Sequence, residues 1–124
     1  MTVVVKQVGN EPIIISTIYE PIDMSVDPQK NRDLSNAIAR KFTCPVYRIM
    51  DFTHFELTFD QLVAGLSEDV RFSEANIVIL VVGNDELVEF QANAMKQAQY
   101  GGREAHYFTS VESALAFARE KIAS

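Results

Sequence analysis

The chain has 124 residues, of which 48% are hydrophobic and 23% are charged, a composition typical of a globular domain rather than a disordered chain. We expect a single domain over residues 1–124. A formal net charge of −6 argues against nucleic acid as a partner, because binding to phosphates needs a basic patch. The longest apolar run, Ile77–Val82, is far shorter than the roughly 20 residues that cross a bilayer, and the N-terminus lacks a signal-type segment. The sequence therefore predicts a cytoplasmic protein without membrane insertion.

The first part of the chain predicts a β-hairpin followed by a helix. Two β-branched apolar runs, Thr2–Gln7 and Ile13–Tyr19, flank a Gly-Asn-Glu-Pro turn at residues 9–12. Asp27-Pro28 is typical of an N-cap followed by proline in the first helical position, so a helix is expected over residues 28–42. The apolar residues at helical spacing within it are Leu34, Ala37, Ile38 and Phe42.

The middle of the chain predicts a strand, a capped helix and a buried strand. The predicted strand is Cys44–Asp51. Cys44 has no neighbouring His or Lys that would lower the pKa of its thiol, so we expect a buried structural thiol. Thr58-Phe-Asp-Gln61 is a capping-box pattern that predicts the start of the second helix. Ile77–Val82 shows no polar alternation, which is typical of an interior strand that is covered on both faces.

The last part predicts a helix, a strand and a closing helix. A turn at residues 83–85 leads into the third helix, which Gly101-Gly102 would stop in a left-handed conformation. Glu104–Phe108 is the last strand, and Thr109–Glu112 is a second capping-box pattern. The order ββαβαβαβα predicts an α/β fold, with a five-stranded mainly parallel sheet, an N-terminal antiparallel hairpin and four helices.

Three segments resemble the SpoIIAA-like fold of STAS domains, the anti-sigma-factor antagonists and the STAS-like bacterial proteins related to them. Pro45–Asp51 is similar to the family's strand that ends in Asp, Ile77–Gly83 to its central strand and turn, and Ala105–Ala116 to its final strand and helix. The resemblance implies the same β-α superhelical fold, with the helices chiefly on one side of the sheet. Because Ile77–Val82 is apolar on both faces, a second subunit could cover the other side, so a homodimer is expected.

Thr58 lies near the place where antagonist STAS domains carry a phosphorylated Ser. The family's Asp-Ser-Ser-Gly type motif is not preserved, since this region reads Phe55-Glu-Leu-Thr-Phe-Asp60 without the paired Ser and the Gly. The resemblance implies phosphorylation of Thr58 as a possible switch, whereas the residues themselves predict a helix N-cap.

Ligands of a parallel sheet gather at the carboxyl ends of its strands. The loops after the third and fourth strands would form a ligand or partner surface there, consisting of Asp51, Thr53, His54, Glu56, Thr58, Asn84 and Asp85. No Cys or second His stands at metal-ligand spacing from His54 or His106, and the glycine pairs match no dinucleotide or phosphate loop. We therefore predict no metal and no cofactor.

Three functions are compatible with these residues. The leading hypothesis is a non-enzymatic STAS-like regulatory or binding module that contacts a protein partner or a small ligand through this surface. The second is a small hydrolase-like enzyme that uses His54 with Asp51 or Glu56. The third is a carrier of a lipid or another hydrophobic ligand, which would need a closed apolar pocket of several hundred Å³, as an order of magnitude.

Overall fold

The protein is an α/β structure, and the computed structural model describes residues 3–124. Its strands are β1 (Val3–Gln7), β2 (Ile13–Ile18), β3 (Val46–Asp51), β4 (Ile77–Val82) and β5 (Ala105–Phe108). Its α-helices in this part of the chain are α1 (Asp27–Ala39), α2 (Phe59–Glu68), α3 (Glu86–Ala94) and α4 (Val111–Ala123), with short 3-10 helices at Val70–Phe72 and Ala98–Tyr100. The predicted element order and fold class are confirmed. Thr2, the predicted first residue of the hairpin, lies outside the described residues.

The five strands lie in the sheet in the same order as in the chain. β1 pairs antiparallel with β2, and β2, β3, β4 and β5 pair in parallel. This arrangement confirms the predicted parallel sheet behind an N-terminal hairpin. Asp51 at the end of β3 is level with Thr17 of β2 and Val82 of β4. The carboxyl ends of neighbouring strands therefore meet at one edge of the molecule.

Both faces of β4 are buried, as predicted. Ile77, Ile79 and Val81 belong to the core between the sheet and the helices α1, α2 and α3. Leu80 and Val82 belong to a second core on the opposite face. The alternation of side chains along a strand explains this division, because neighbouring residues point to opposite sides of the sheet.

Helix α4 covers the face of the sheet that we expected a second subunit to cover. Its small residues Ala114 and Ala118 are fully buried and pack in one cluster with Tyr47, Ile49 and Leu80. The C-terminal helix folds back across this face and supplies cover that we had expected from a second subunit. The argument for a homodimer loses this support, and the dimer itself stays a prediction.

Helix α1 differs from its prediction at both its start and its face. Val26 occupies the N-cap position, and no side chain caps the helix there. Asp27, the predicted N-cap, is the first helical residue, and its carboxylate accepts a hydrogen bond from the backbone N–H of Asp23 (2.8 Å). The predicted apolar residues Leu34 and Ala37 are exposed. The buried residues are instead Pro28, Asn31, Ser35, Asn36 and Ala39. A mostly polar stripe of α1 thus faces the sheet.

Three further local predictions are wrong. Helix α3 ends at Ala94, and Gly101, with φ 99°, ends the following 3-10 helix instead. The cap of α4 is Ser110 rather than Thr109, since the Ser110 side chain accepts a hydrogen bond from the Ser113 N–H (3.1 Å). Cys44 is exposed, because the strand begins only at Val46 and leaves it in the preceding bend.

A buried ion pair connects the centre of the sheet to the end of α2. Arg48 in β3 is 0% exposed, and its guanidinium donates to both carboxylate oxygens of Asp69 at 2.6 and 2.7 Å. The same guanidinium lies 3.3 Å from the hydroxyl of Ser73 and 3.5 Å from that of Ser16. Two parallel, charge-assisted bonds of this kind fix orientation as well as distance.

A second arginine lies beside this pair. Arg103 donates to the backbone oxygens of Ser73 and Glu74, which belong to the turn after the 3-10 helix Val70–Phe72. Burial, followed by the positive charge of Arg48, lowers the pKa of Arg103 from its ordinary value. Both guanidinium groups therefore bond the segment between α2 and β4, Arg48 through side chains and Arg103 through backbone oxygens.

Removal of the Asp69 charge should strongly destabilise the protein. Asp69→Asn leaves the Arg48 charge buried without a counter-ion, so we expect the free energy of unfolding to fall by about 3–5 kcal/mol. Urea unfolding, monitored by circular dichroism, measures this loss of stability. Arg40 pairs with Glu74 at 2.7 Å on the surface, and Arg40→Met should cost less than about 1 kcal/mol. Equal losses in the two variants would contradict a special role for the buried pair.

Candidate functional site

The loops after β3 and β4 form an open depression at the carboxyl edge of the sheet. Its volume is about 390 Å³. It is lined by Phe52, Thr53, Phe55, Glu56, Asn84 and Asp85. The structure thus brings together four residues of the predicted surface, namely Thr53, Glu56, Asn84 and Asp85. The other three predicted residues, Asp51, His54 and Thr58, lie outside this lining.

Asp51 is a structural residue of the loop that follows β3. Its side chain is buried, and Oδ1 accepts hydrogen bonds from the Thr53 N–H (2.9 Å) and the Thr53 hydroxyl (2.6 Å). This is a turn in which an aspartate side chain satisfies backbone and side-chain groups two residues further on. The turn fixes the position of Thr53 at the wall of the depression.

His54 does not form a hydrogen bond with Asp51, one of the two carboxylates that the hydrolase hypothesis pairs with it. Its Nε2 lies 4.0 Å from Oδ2 of Asp51, beyond the 2.6–3.2 Å, approximately, of a catalytic hydrogen bond. The His54 side chain is 54% exposed, and its ring stacks on Tyr19 with the centroids 5.1 Å apart. His106, the other imidazole, packs 4.7 Å from the Phe117 ring and lies 3.0 Å from a Glu104 carboxylate oxygen.

Two other predicted residues cap helices. Thr58 accepts a hydrogen bond from the Gln61 N–H (3.3 Å), and the Gln61 side chain accepts one from the Thr58 N–H (2.9 Å). The predicted capping box is therefore confirmed. Asp85 accepts a hydrogen bond from the Leu87 N–H (2.8 Å) at the start of α3. Phosphorylation of Thr58 stays a prediction.

The edge of the sheet beside the depression is acidic. The backbone N–H of Glu56 donates to Oε1 of Glu20 (3.3 Å), so the loop after β2 contacts the loop after β3. Glu56 and Asp85 line the depression itself, and both are exposed. Three carboxylates from three successive loops thus lie along one edge.

Gly83 allows the turn between β4 and α3 to pack closely. A Cβ atom at this position would lie 2.9 Å from Cγ1 of Val88, inside normal contact distance. The Gly83 carbonyl accepts a hydrogen bond from the Tyr107 hydroxyl (2.6 Å), which ties the turn to β5. The close packing of Gly83 against Val88 and its hydrogen bond to Tyr107 therefore fix the position of Asn84 and Asp85 at the depression.

A second cavity, partly open to solvent, lies in the core between the sheet and the helices α1, α2 and α3. Its volume is about 40 Å³, and most of its lining is apolar. Asn31 and Gln91 are the exceptions of interest, since they are only 4% and 1% exposed. Within residues 3–124, Oδ1 of Asn31 and Oε1 of Gln91 accept no hydrogen bond. Sequence reasoning missed both residues because it followed only apolar periodicity.

A metal site and a membrane-spanning helix are both absent from residues 3–124. No set of three or more His, Cys, Asp or Glu side chains there comes together as a candidate metal site. Within the same residues, no helix combines the length and the hydropathy that a membrane span requires. Comparison with protein-family models, curated proteins and solved structures finds no match to this chain.

Loss of the Thr58 hydroxyl should weaken the start of α2. Thr58→Ala removes the acceptor of the Gln61 N–H, so we expect the free energy of unfolding to fall by about 1 kcal/mol, while Thr58→Ser keeps it nearly unchanged. Thermal and urea unfolding measure both variants. Thr109→Ala is the matched control, because Ser110 rather than Thr109 caps α4. Similar losses at positions 58 and 109 would contradict the assignment of the caps.

Proposed function

We propose that the protein is a non-enzymatic, STAS-like binding module that contacts a protein partner through the edge formed by the loops after β3 and β4. The observation that carries this proposal is the open depression between Thr53, Glu56, Asn84 and Asp85. The depression is exposed. The turn at Asp51 and Thr53, the turn at Gly83 and the helix cap at Asp85 fix its walls. A fixed, accessible polar surface of this kind suits recognition.

The charge of the edge indicates the chemistry of the partner. Glu20, Glu56 and Asp85 come from three neighbouring loops, and the whole chain carries a formal net charge of −6. Charges across an interface are complementary and accelerate association. A partner with a basic contact surface is therefore proposed.

The two alternative functions receive less support. The hydrolase hypothesis requires His54 to be oriented by a carboxylate, and the 4.0 Å separation from Asp51 together with the exposed ring does not provide this. The carrier hypothesis requires a closed pocket of roughly several hundred Å³, whereas the core cavity measures about 40 Å³ and is partly open. We therefore favour partner binding over both.

A photo-crosslinking amino acid at position 53 should identify the partner. We expect it to form a discrete protein adduct in native cells, whereas the same amino acid at position 120, on an exposed residue near the end of α4, forms none. The partner is then purified, and its affinity is measured by isothermal titration calorimetry. Glu56→Lys should weaken binding about tenfold, equivalent to about 1.4 kcal/mol, mainly through slower association.

The matched control is Glu120→Lys, which makes the same charge change away from the proposed surface. It should leave the affinity unchanged. An unchanged affinity in Glu56→Lys, or equal crosslinking from positions 53 and 120, would refute the proposed surface. Hydrolysis of p-nitrophenyl acetate that His54→Ala abolishes would support the enzyme instead.

A further inference from the structure

The partly open core cavity contains polar groups whose hydrogen-bonding capacity is unused. Asn31 belongs to α1 and Gln91 to α3, and both line the cavity. Their carbonyl oxygens are buried and accept no hydrogen bond from any group in the described part of the chain. An unpaired buried polar atom costs about 1–3 kcal/mol, so such atoms in folded proteins are normally paired with protein or with bound molecules. Two of them at one cavity point to an occupant.

The lining restricts the charge of that occupant. Two carboxylates also line the cavity. Asp27 accepts a hydrogen bond from the Asp23 N–H (2.8 Å), and Asp69 is already paired with the buried guanidinium of Arg48. A cation would add a positive charge to a pair that is already balanced, and the remaining wall, with residues such as Ile18, Met50 and Phe52, cannot solvate it. The occupant is therefore uncharged.

The unpaired atoms and the volume define its chemistry. Both oxygens need a donor, and a hydroxyl group supplies one while also accepting from the NH₂ ends of the same amides. A volume of about 40 Å³ accommodates one to three water molecules, on the order of 10–30 Å³ each, or a molecule with two or three non-hydrogen atoms. We infer that this cavity is a binding site for a small uncharged hydroxyl compound, either water or a short alcohol, that donates to Asn31 and Gln91.

The site is separate from the surface depression. Phe52 and Phe55 line both spaces, with their ring centroids 6.3 Å apart, and so form the wall between them. Gly65 of α2 also lines the cavity, and a Cβ atom at this position would lie 3.4 Å from the amide nitrogen of Gln91. The absence of a side chain at position 65 therefore leaves room for the Gln91 side chain at the cavity.

The test uses nuclear magnetic resonance of the whole chain with ¹³C-methyl methionine, because Met24 and Met50 also line the cavity. We expect long-lived water cross-peaks to the side-chain amides of Asn31 and Gln91. Titration with methanol should shift the Met24 and Met50 methyl signals in a saturable manner and displace the water cross-peaks. If methanol causes no saturable shifts, the occupant is water alone. Saturable shifts show that the cavity also binds alcohols.

Variants of similar size remove the acceptors. Asn31→Leu with Gln91→Met should abolish long-lived water cross-peaks to the Met24 and Met50 methyl groups, which both proteins retain. It should also weaken methanol binding at least about tenfold, the loss expected for one hydrogen bond of about 1.4 kcal/mol. The control carries the same substitutions at exposed positions, Asn93→Leu with Gln99→Met, and should retain both signals.

Xenon supplies the opposing result. A dry apolar cavity binds xenon, whereas a hydrated polar one does not. Xenon-induced shifts of Met24 and Met50 in the unmodified protein, without water cross-peaks, would overturn the inference. This measurement needs no variant, so it decides the question even if the double variant fails to fold.

Discussion

The ion pair between Arg48 and Asp69 constrains the arrangement of the whole helical layer. A guanidinium in the middle of a central strand has to be neutralised within the core, and Asp69 at the end of α2 supplies the carboxylate. The pair therefore fixes α2 above β3 and sets the direction in which the chain enters β4. The hydroxyls of Ser16 and Ser73 lie within 3.5 Å of the guanidinium, and Ser35 of α1 lies 3.5 Å from Ser16. Ser35 is the residue of α1 that reaches this group, whereas Asn36 bonds the backbone of Phe72 and Glu74.

The same polar group explains where sequence reasoning succeeded and where it failed. The alternation-free run of β4 and the capping box at Thr58 carry local signals, and both were predicted correctly. The buried face of α1 was predicted wrongly, because periodicity counts only apolar residues and the real stripe contains Asn31, Ser35 and Asn36. Arg48 gave one signal that could have been used, a charge inside an apolar strand. Its partner Asp69 is 21 residues away and could not be assigned without the fold.

The candidate site was predicted only in its location. The carboxyl edge of a parallel sheet follows from topology, and the structure brings Thr53, Glu56, Asn84 and Asp85 together there. The roles of Asp51 and His54 depend on side-chain geometry, which the sequence does not specify. Phe52 and Phe55 line two different spaces, an open acidic depression and a more enclosed, largely apolar cavity in the core. Changes in the loop that contains them therefore affect both spaces.

The position of α4 has a consequence for biosynthesis. Every strand lies beside its neighbour in the chain, so the sheet can assemble progressively as the polypeptide leaves the ribosome. Helix α4 comes after all of the strands that it covers. Ile13, Ile49 and Leu80 therefore stay exposed on the nascent chain until α4 has left the ribosome. Ribosomes that stall before residue 111 would therefore display an adhesive hydrophobic surface, which is the kind of surface that chaperones bind.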